Sequence, residues 1–387
     1  MKLALTALFA SLAVTVLASA AVSPPADLTA PITVLRASTP GGIYPGKYPY
    51  KFADFILPRD EGKHSLRIAS GFSPLEWWYI VSRLEGGNGR HYFVFLCWFS
   101  TNSLQVGVTE YETGRRWTYA ERYLPNQINA ASGRLNLNFA GNTLINTEPF
   151  VYRANVSIPG VETSLSYYSD RPPFPVGEEN GRPGYITYPH NGYTWYYTMG
   201  RLRTEGKLKL DGVTIDVSGW SWLDRQWGAF APMSDWRWEW MALQLKIDRG
   251  DHPLSGLWDI NCWNLRDARS GELIWTMATA LYPDNTVQVG VVRMEALDYW
   301  TSPRGYTYSH GWRVTPTFCR TLPLKLLVMP AAKDQTQPAA GHLGMILPDN
   351  EQEFWEGACE VRLDKPGQKV VGWAVTELTM HYERGTR

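Results

Sequence analysis

The feature that most limits what this chain can fold into is its period of two. Lys207-Leu208-Lys209-Leu210-Asp211-Gly212-Val213-Thr214-Ile215-Asp216-Val217 alternates polar and apolar residues on both sides of Asp-Gly. That dipeptide tolerates positive φ, so the stretch predicts a β-hairpin. Arg134-Leu135-Asn136-Leu137-Asn138-Phe139 alternates in the same way. Val361-Arg362-Leu363 and Lys369 to Leu378 flank Asp364-Lys365-Pro366-Gly367, a hairpin with a longer loop, and Leu243-Gln244-Leu245-Lys246-Ile247 stops at the turn cluster Asp248-Arg249-Gly250-Asp251. Beyond the N-terminal residues, no window of about 12 residues places apolar side chains at helical spacing. Short strands punctuated by 34 Gly and 26 Pro predict an all-β protein.

The N-terminus reads differently. Met1-Lys2 precedes an apolar run from Leu3 to Ala18, broken by Thr6, Ser11 and Thr15, and Ala18-Ser19-Ala20 is a small-x-small cleavage signal. The expectation is a secretory signal peptide over 1–20, its apolar run of about 16 residues marginal for a bilayer span, which needs ~20 apolar residues. No later segment predicts a membrane span. Residues 21–50 are rich in Pro, Thr, Ser and Gly and predict an extended surface segment. Glu76-Trp77-Trp78-Tyr79 and Trp238-Glu239-Trp240 each open a β series, which divides the rest into an N-terminal β domain over 51–232 and a C-terminal one over 233–387. Residues 170–192 read as a long irregular loop, a candidate lid. The secretory route makes Asn155-Val156-Ser157 a candidate glycosylation site and permits disulfides. At most one bridge is expected, among Cys262, Cys319 and Cys359, with Cys97 a buried thiol in an apolar strand.

Lys+Arg and Asp+Glu both number 37. Zero net charge argues against a nucleic-acid partner, which calls for a basic face. The seven histidines never fall at i, i+2 or i, i+4, so no metal is expected, and no phosphate-binding loop or hydrolase elbow is present. The chain's distinctive resource is aromatic: 18 Trp, 21 Tyr and 13 Phe. Five acids sit among the Trp residues: Glu76, Asp224, Glu239, Glu356 and Glu377. Dry surroundings disfavour a carboxylate and raise its pKa, so such an acid can hold a proton and donate it. Indole faces can stabilise the resulting cation by ~2 kcal/mol or more when dry. The competing expectation is that each acid pairs with an arginine and pins strands together.

Glu76-Trp77-Trp78-Tyr79, Trp195-Tyr196-Tyr197-Thr198, Gly219-Trp220-Ser221-Trp222-Leu223-Asp224-Arg225-Gln226-Trp227-Gly228, Trp236-Arg237-Trp238, Phe354-Trp355-Glu356-Gly357 and Gly372-Trp373-Ala374-Val375-Thr376-Glu377-Leu378 follow one another from about residue 70 to 380. In this order they resemble the hydroxyneurosporene-synthase-like, kievitone-hydratase-like lipocalin-fold superfamily. It includes carotenoid hydratases and fungal Diels–Alderases of secondary metabolism. The resemblance implies a β-sandwich plus a lipocalin-like β-barrel with an apolar pocket, no metal and no organic cofactor. It makes Asp224 the candidate proton donor. The chain departs from the hydratases in carrying Trp222 where they have a Tyr two residues before the acid.

The resulting expectation is a secreted or lumenal enzyme acting on a small apolar terpenoid or polyketide substrate. Asp224 would drive an acid-assisted dehydration to a quinone-methide-like intermediate, followed by a (hetero-)Diels–Alder step. Hydration of an isoprenoid double bond is the reverse chemistry of the first step. Glu76 and Arg225 are expected beside Asp224 in the catalytic group. Trp78, Tyr197, Trp222, Gln226, Trp227, Trp240, Trp355 and Glu377 are expected to line the pocket. Two rival expectations stand beside this one: a lipocalin-like carrier that leaves its ligand unchanged, and a carbohydrate-active protein with two carboxylates in an open groove.

Overall fold

In the computed structural model, residues 33–36, 44, 46–68, 74–230, 236–248, 250–251, 255–317, 324–338, 353–365 and 370–379 are described. The expected leader and Cys319 lie outside them. The long central hairpin follows from its turn: Asp211 and Gly212 both take positive φ, at 47° and 87°, which suits the twist of a two-residue connection. Tyr193–Leu210 and Val213–Ala229 pair from Leu210↔Val213 to Tyr193↔Ala229, with one bulge between Met199 and Leu202. Toward the turn, the second strand alternates exposed and buried residues; from Ser221 to Ala229 it is buried on both faces. That change explains why tryptophans occupy both its odd and its even positions.

The hairpin lies at the centre of a 13-stranded antiparallel sheet. On one side it meets Pro74–Gly86, then His91–Phe99, Ser103–Glu110 and Arg116–Arg122; on the other, Val161–Ser169 and the strands before it back to Ile128–Ala130. A second sheet, of 11 strands, is built around Trp236–Ile247, flanked by Gly256–Asp267 and by the hairpin of Glu353–Leu363 with Val370–Leu378. One sheet curls into a half-barrel and the other into a nearly closed barrel, giving two β domains. The chain passes between the sheets after Ala229 and before Trp236.

Three cores result. The first sheet wraps one that includes Trp78, Leu96, Trp98, Tyr152, Tyr197 and Trp227. The second wraps one that includes Leu243, Trp258, Trp312 and Trp355. The third lies where the domains meet and joins Tyr79, Phe95, Tyr196 and Trp222 to Trp238, Trp240, Trp263 and Val375. Polar anchors hold this seam. Asp259 of the second domain is fully buried between Arg171 and Arg201 of the first, at 2.7 and 2.8 Å. Gln244 donates to the carbonyls of Gly200 (2.7 Å) and Ser221 (2.8 Å) and accepts from Trp373 Nε1 (2.8 Å). Removing one member would leave a buried charge or polar group unmatched, so the domains are fixed in angle as well as proximity.

Several local expectations are corrected. Residues 170–192 form a packed wall, not a free lid. Phe174-Pro175 and Tyr185–Thr187 pair with the Tyr193–Leu210 strand, and Phe174, Val176, Ile186 and Tyr188 are buried. The apolar residues scattered among its prolines provide the reason. Within the Pro- and Thr-rich N-terminal segment, Thr33–Arg36 adds an edge strand to the second sheet by pairing with Thr286–Val289. Cys97, Cys262 and Cys359 are each free and buried, so no bridge joins Cys262 or Cys359. Each lies on a strand with its thiol packed into a core, which serves a small apolar residue well.

Candidate active site

Alternation along the paired strands decides which residues can share a cavity. In an antiparallel pair, residues opposite one another share a face. Asp224 lies opposite Tyr79 on one neighbouring strand and Thr198 on the other. Trp222, Asp224 and Gln226 therefore project with Tyr79 and Tyr196 toward the second domain. Leu223, Arg225 and Trp227 project with Trp78 and Tyr197 into the first-domain core. On the facing sheet, Trp236, Trp238 and Trp240 look back across the seam.

Between these faces lies a tight pocket of about 540 Å³ including its mouth. Fifteen residues line it: Trp77, Tyr79, Phe95, Cys97, Phe99, Tyr188, Tyr196, Asp224, Gln226, Phe230, Trp236, Trp238, Trp240, Trp263 and Glu377. Eleven of these are aromatic, so a ligand would meet mostly ring faces and edges, with few polar anchors to orient it. Tyr188 stacks on Trp236 at 5.0 Å and accepts from Gln226 Nε2 at 2.9 Å, which fixes one end of the wall.

Asp224 is 4% exposed, and both its oxygens have fixed donors. Trp222 Nε1 donates to Oδ1 at 2.7 Å, and the Tyr196 hydroxyl donates to Oδ2 at 2.7 Å. The Tyr196 hydroxyl cannot turn round, because its oxygen already accepts from Asn261 Nδ2 (2.8 Å) and Trp240 Nε1 (3.2 Å). An indole has only an N–H to offer. Both contacts therefore hold the carboxyl in one orientation. Burial is the largest influence on its acidity and lifts it to about 7; the donors, Tyr196 first, oppose the rise and the charge of Glu377 adds to it. An acid of this kind is part protonated at neutral pH, where proton transfer is most efficient. Trp222, the departure from the hydratase pattern, thus supplies an N–H to the acid.

Glu76 and Arg225, expected beside Asp224, are on the opposite face. Arg225 Nη2 pairs with Glu76 Oε1 at 2.6 Å, and its guanidinium lies over the Trp78 ring at 4.4 Å. It also donates to the carbonyls of Trp77 and Gly62. The ring nitrogen Nδ1 of His64 meets the same Glu76 oxygen at 2.7 Å, and its ring stacks on Trp227 at 4.0 Å. This group pins strands, as the competing expectation had it. Trp78, Tyr197 and Trp227 belong to that core, and Trp355 to the second-domain core, where its Nε1 donates to Lys333 O. None of the four lines the pocket, since each is one residue out of phase with the pocket face. Glu239 is paired with Arg266 at 2.7 Å. Of the expected residues, the structure brings Asp224, Trp222, Gln226, Trp240 and Glu377 together.

Sequence reasoning passed over Tyr79, Tyr188, Tyr196 and Asn261. Tyr79 and Tyr196 stood inside the quoted motifs, each next to a residue of the first-domain core, Trp78 and Tyr197, and therefore on the opposite face. Asn261 gave no signal, because it reaches Tyr196 from the other sheet across the seam. Asn155 lies mid-strand on Val151–Ile158, half-buried, and its Oδ1 accepts from Ser164 Oγ. Among the described residues, no group of three or more His, Cys, Asp and Glu side chains is placed to hold a metal ion. No described helix is long and apolar enough to cross a membrane.

Two curled β domains with an acid buried in an aromatic pocket at their seam define a lipocalin-like pair of the two-domain kind. The AttH-like family model matches residues 49–381, and the chain belongs to that family. No curated protein matches it significantly. Among solved structures, the chain is similar to the AttH candidate of Nitrosomonas europaea, with a TM-score of 0.65 and 19% identity over 87% of this chain and 99% of the other. It is also similar to kievitone hydratase from Nectria haematococca, with a TM-score of 0.60 and 17% identity over 90% of this chain and 98% of that one. These likenesses establish the shared fold.

Proposed function

We propose that the protein is a hydro-lyase that adds water to, or removes it from, an apolar substrate held in the seam pocket, with Asp224 as the acid. The observation that carries this reading is a single one: a buried carboxyl, lifted to about 7, held by two donors that cannot reverse and facing an aromatic cavity. In the hydration direction Asp224 gives its proton to an alkene carbon. In the dehydration direction its carboxylate removes the proton next to the departing hydroxyl. A cationic centre would lie among ring faces, where cation–π attraction is strong because water is excluded. The hydratase named among the similar structures supports this choice within the fold.

The same acid would serve a dehydration that produces a quinone-methide-like diene for a (hetero-)Diels–Alder step, in which orientation alone can supply ~7–11 kcal/mol of the barrier. We further propose that the apolar leader expected over residues 1–20 directs the protein into the secretory pathway. An open groove suited to sugars is disfavoured by the tightness of the pocket and its eleven rings.

The test is Asp224→Asn against a panel of terpenoid and prenylated aromatic alkenes and their tertiary or benzylic alcohols. Turnover should fall about a hundredfold or more, the usual contribution of a positioned acid. Product analysis of the wild type by mass spectrometry separates hydrate, alkene and cycloadduct. A folded variant keeping turnover within about tenfold of wild type would remove Asp224 from the chemistry, because that is less than a positioned acid contributes.

A further inference from the structure

The pocket has two walls, and each carries a carboxyl. Asp224 comes from the first sheet. The second brings Glu377, which lines the pocket, and behind it Glu356. Glu356 and Glu377 are direct partners across antiparallel strands, so their Cβ atoms are within about 4.5–5.5 Å on one face. The hydroxyl of Tyr79, from the opposite wall, donates to Glu356 Oε1. Glu356 is fully buried, and its Oε2 has no hydrogen-bond partner. Like charges in this position repel strongly, so the pair cannot comfortably hold two negative charges. Burial first, then the charge of Glu377, raises Glu356 well above the carboxylate range. Burial and the neighbouring carboxyl therefore favour a neutral Glu356.

We infer that Glu377, with Glu356 paired behind it, is the proton-accepting half of the site and takes the hydrogen of the attacking water opposite Asp224. This rests on the hydro-lyase reading. Asp224 gives its proton to the alkene, whose π electrons form the C–H bond and leave a cation on the more substituted carbon. The water oxygen forms the C–O bond, and one of its O–H bonds breaks, its proton passing to the Glu377 carboxylate. The pair then holds one proton more, and Asp224 one fewer. Water entering between turnovers returns it. Dehydration runs the same steps backward: the pair protonates the hydroxyl, water leaves, and Asp224 takes the neighbouring C–H proton. Tyr79 is a positioning residue, since it holds Glu356 from across the seam.

The experiment follows a panel of prenylated phenols in D₂O with the full-length wild type, Asp224→Asn, Glu377→Gln and Glu356→Gln. Alcohol formation is read by mass spectrometry, and deuterium entering the recovered alkene by NMR. Glu377→Gln should lower alcohol formation about a hundredfold while deuterium exchange continues, because Asp224 still protonates the alkene reversibly. Asp224→Asn should lose both. Glu356→Gln should shift the pH profile of alcohol formation. Hydration by Glu377→Gln at close to the wild-type rate, or an unchanged profile in Glu356→Gln, overturns the pair's role. A wild type that neither hydrates nor exchanges any phenol of the panel overturns the hydro-lyase reading instead. Thermal melts and quenching of Trp fluorescence by the phenols confirm that each variant is folded and binds; should Glu377→Gln not fold, the Glu356→Gln profile decides.

Discussion

Glu76 and Asp224 are two buried carboxyls on the same pair of paired strands, facing opposite ways, and their chemistry has diverged. Both have tryptophan neighbours in sequence, and each is under 5% exposed. Burial by itself would raise both. For Glu76, the guanidinium of Arg225 and the His64 ring outweigh burial and bring it below the usual carboxylate range. Among the described residues the donors to Asp224 are neutral, Tyr196 and Trp222, and burial wins. Tryptophan next to an acid is thus a poor guide to its protonation. What matters is whether a cation faces it, because one full charge a few ångströms away outweighs several neutral dipoles in a dry site.

The largest expected effect comes from destroying the Glu76 environment. Arg225→Met should leave an uncompensated buried carboxylate and cost about 3–5 kcal/mol in chemical denaturation at neutral pH. The loss should shrink in acid, where Glu76 can take up a proton. A small, pH-independent loss would show that the ion pair does not set the difference between the two acids.

The next effect tests the other face. Asp224 is raised, so the folded state keeps its proton after the unfolded state has lost it. Stability from this group is full below about pH 4 and declines as pH rises to about 7. A carboxyl moved from 3.8 to about 7 carries about 4 kcal/mol of pH-linked free energy at 1.36 kcal/mol per pH unit. Asp224→Asn should therefore gain stability over the wild type on going from pH 4 to pH 8, while it loses turnover. Parallel stability profiles for the two proteins would mean that Asp224 is not held neutral.

The smallest effect sharpens the comparison. Trp222→Phe removes the donor to Asp224 Oδ1. A hydrogen bond to a charged acceptor contributes about 1.5–3 kcal/mol, so the charged form becomes harder to reach and the pKa rises further. The alkaline limb of kcat/KM should move up by about one to two pH units. A downward move would assign the proton to a different group.

Much of this was legible before any coordinates. Asp211-Gly212 announced the central hairpin, and Leu243 to Ile247 announced a strand of the second sheet, because turn chemistry and period two are local properties. The Trp222-x-Asp224-x-Gln226 spacing already placed the acid, its indole donor and one further pocket residue on one face. The same logic separates Trp78 from Tyr79 and Arg225 from Asp224, yet it does not say which face meets which. That depends on register between strands more than 130 residues apart, such as Asp224 with Tyr79. Neither the Arg171–Asp259–Arg201 clamp nor the approach of Tyr79 to Glu356 leaves a local trace, because each joins different domains.

The sequence by itself determined an all-β chain, its hairpins, its aromatic richness and an acid set among indoles. It took the packed fold to set Asp224 among neutral donors, to give Glu76 a cation and to turn Glu377 across the same cavity. Strand formation is written in neighbouring residues, whereas the charge state of a buried acid is set by whatever distant chain the fold brings within a few ångströms of it.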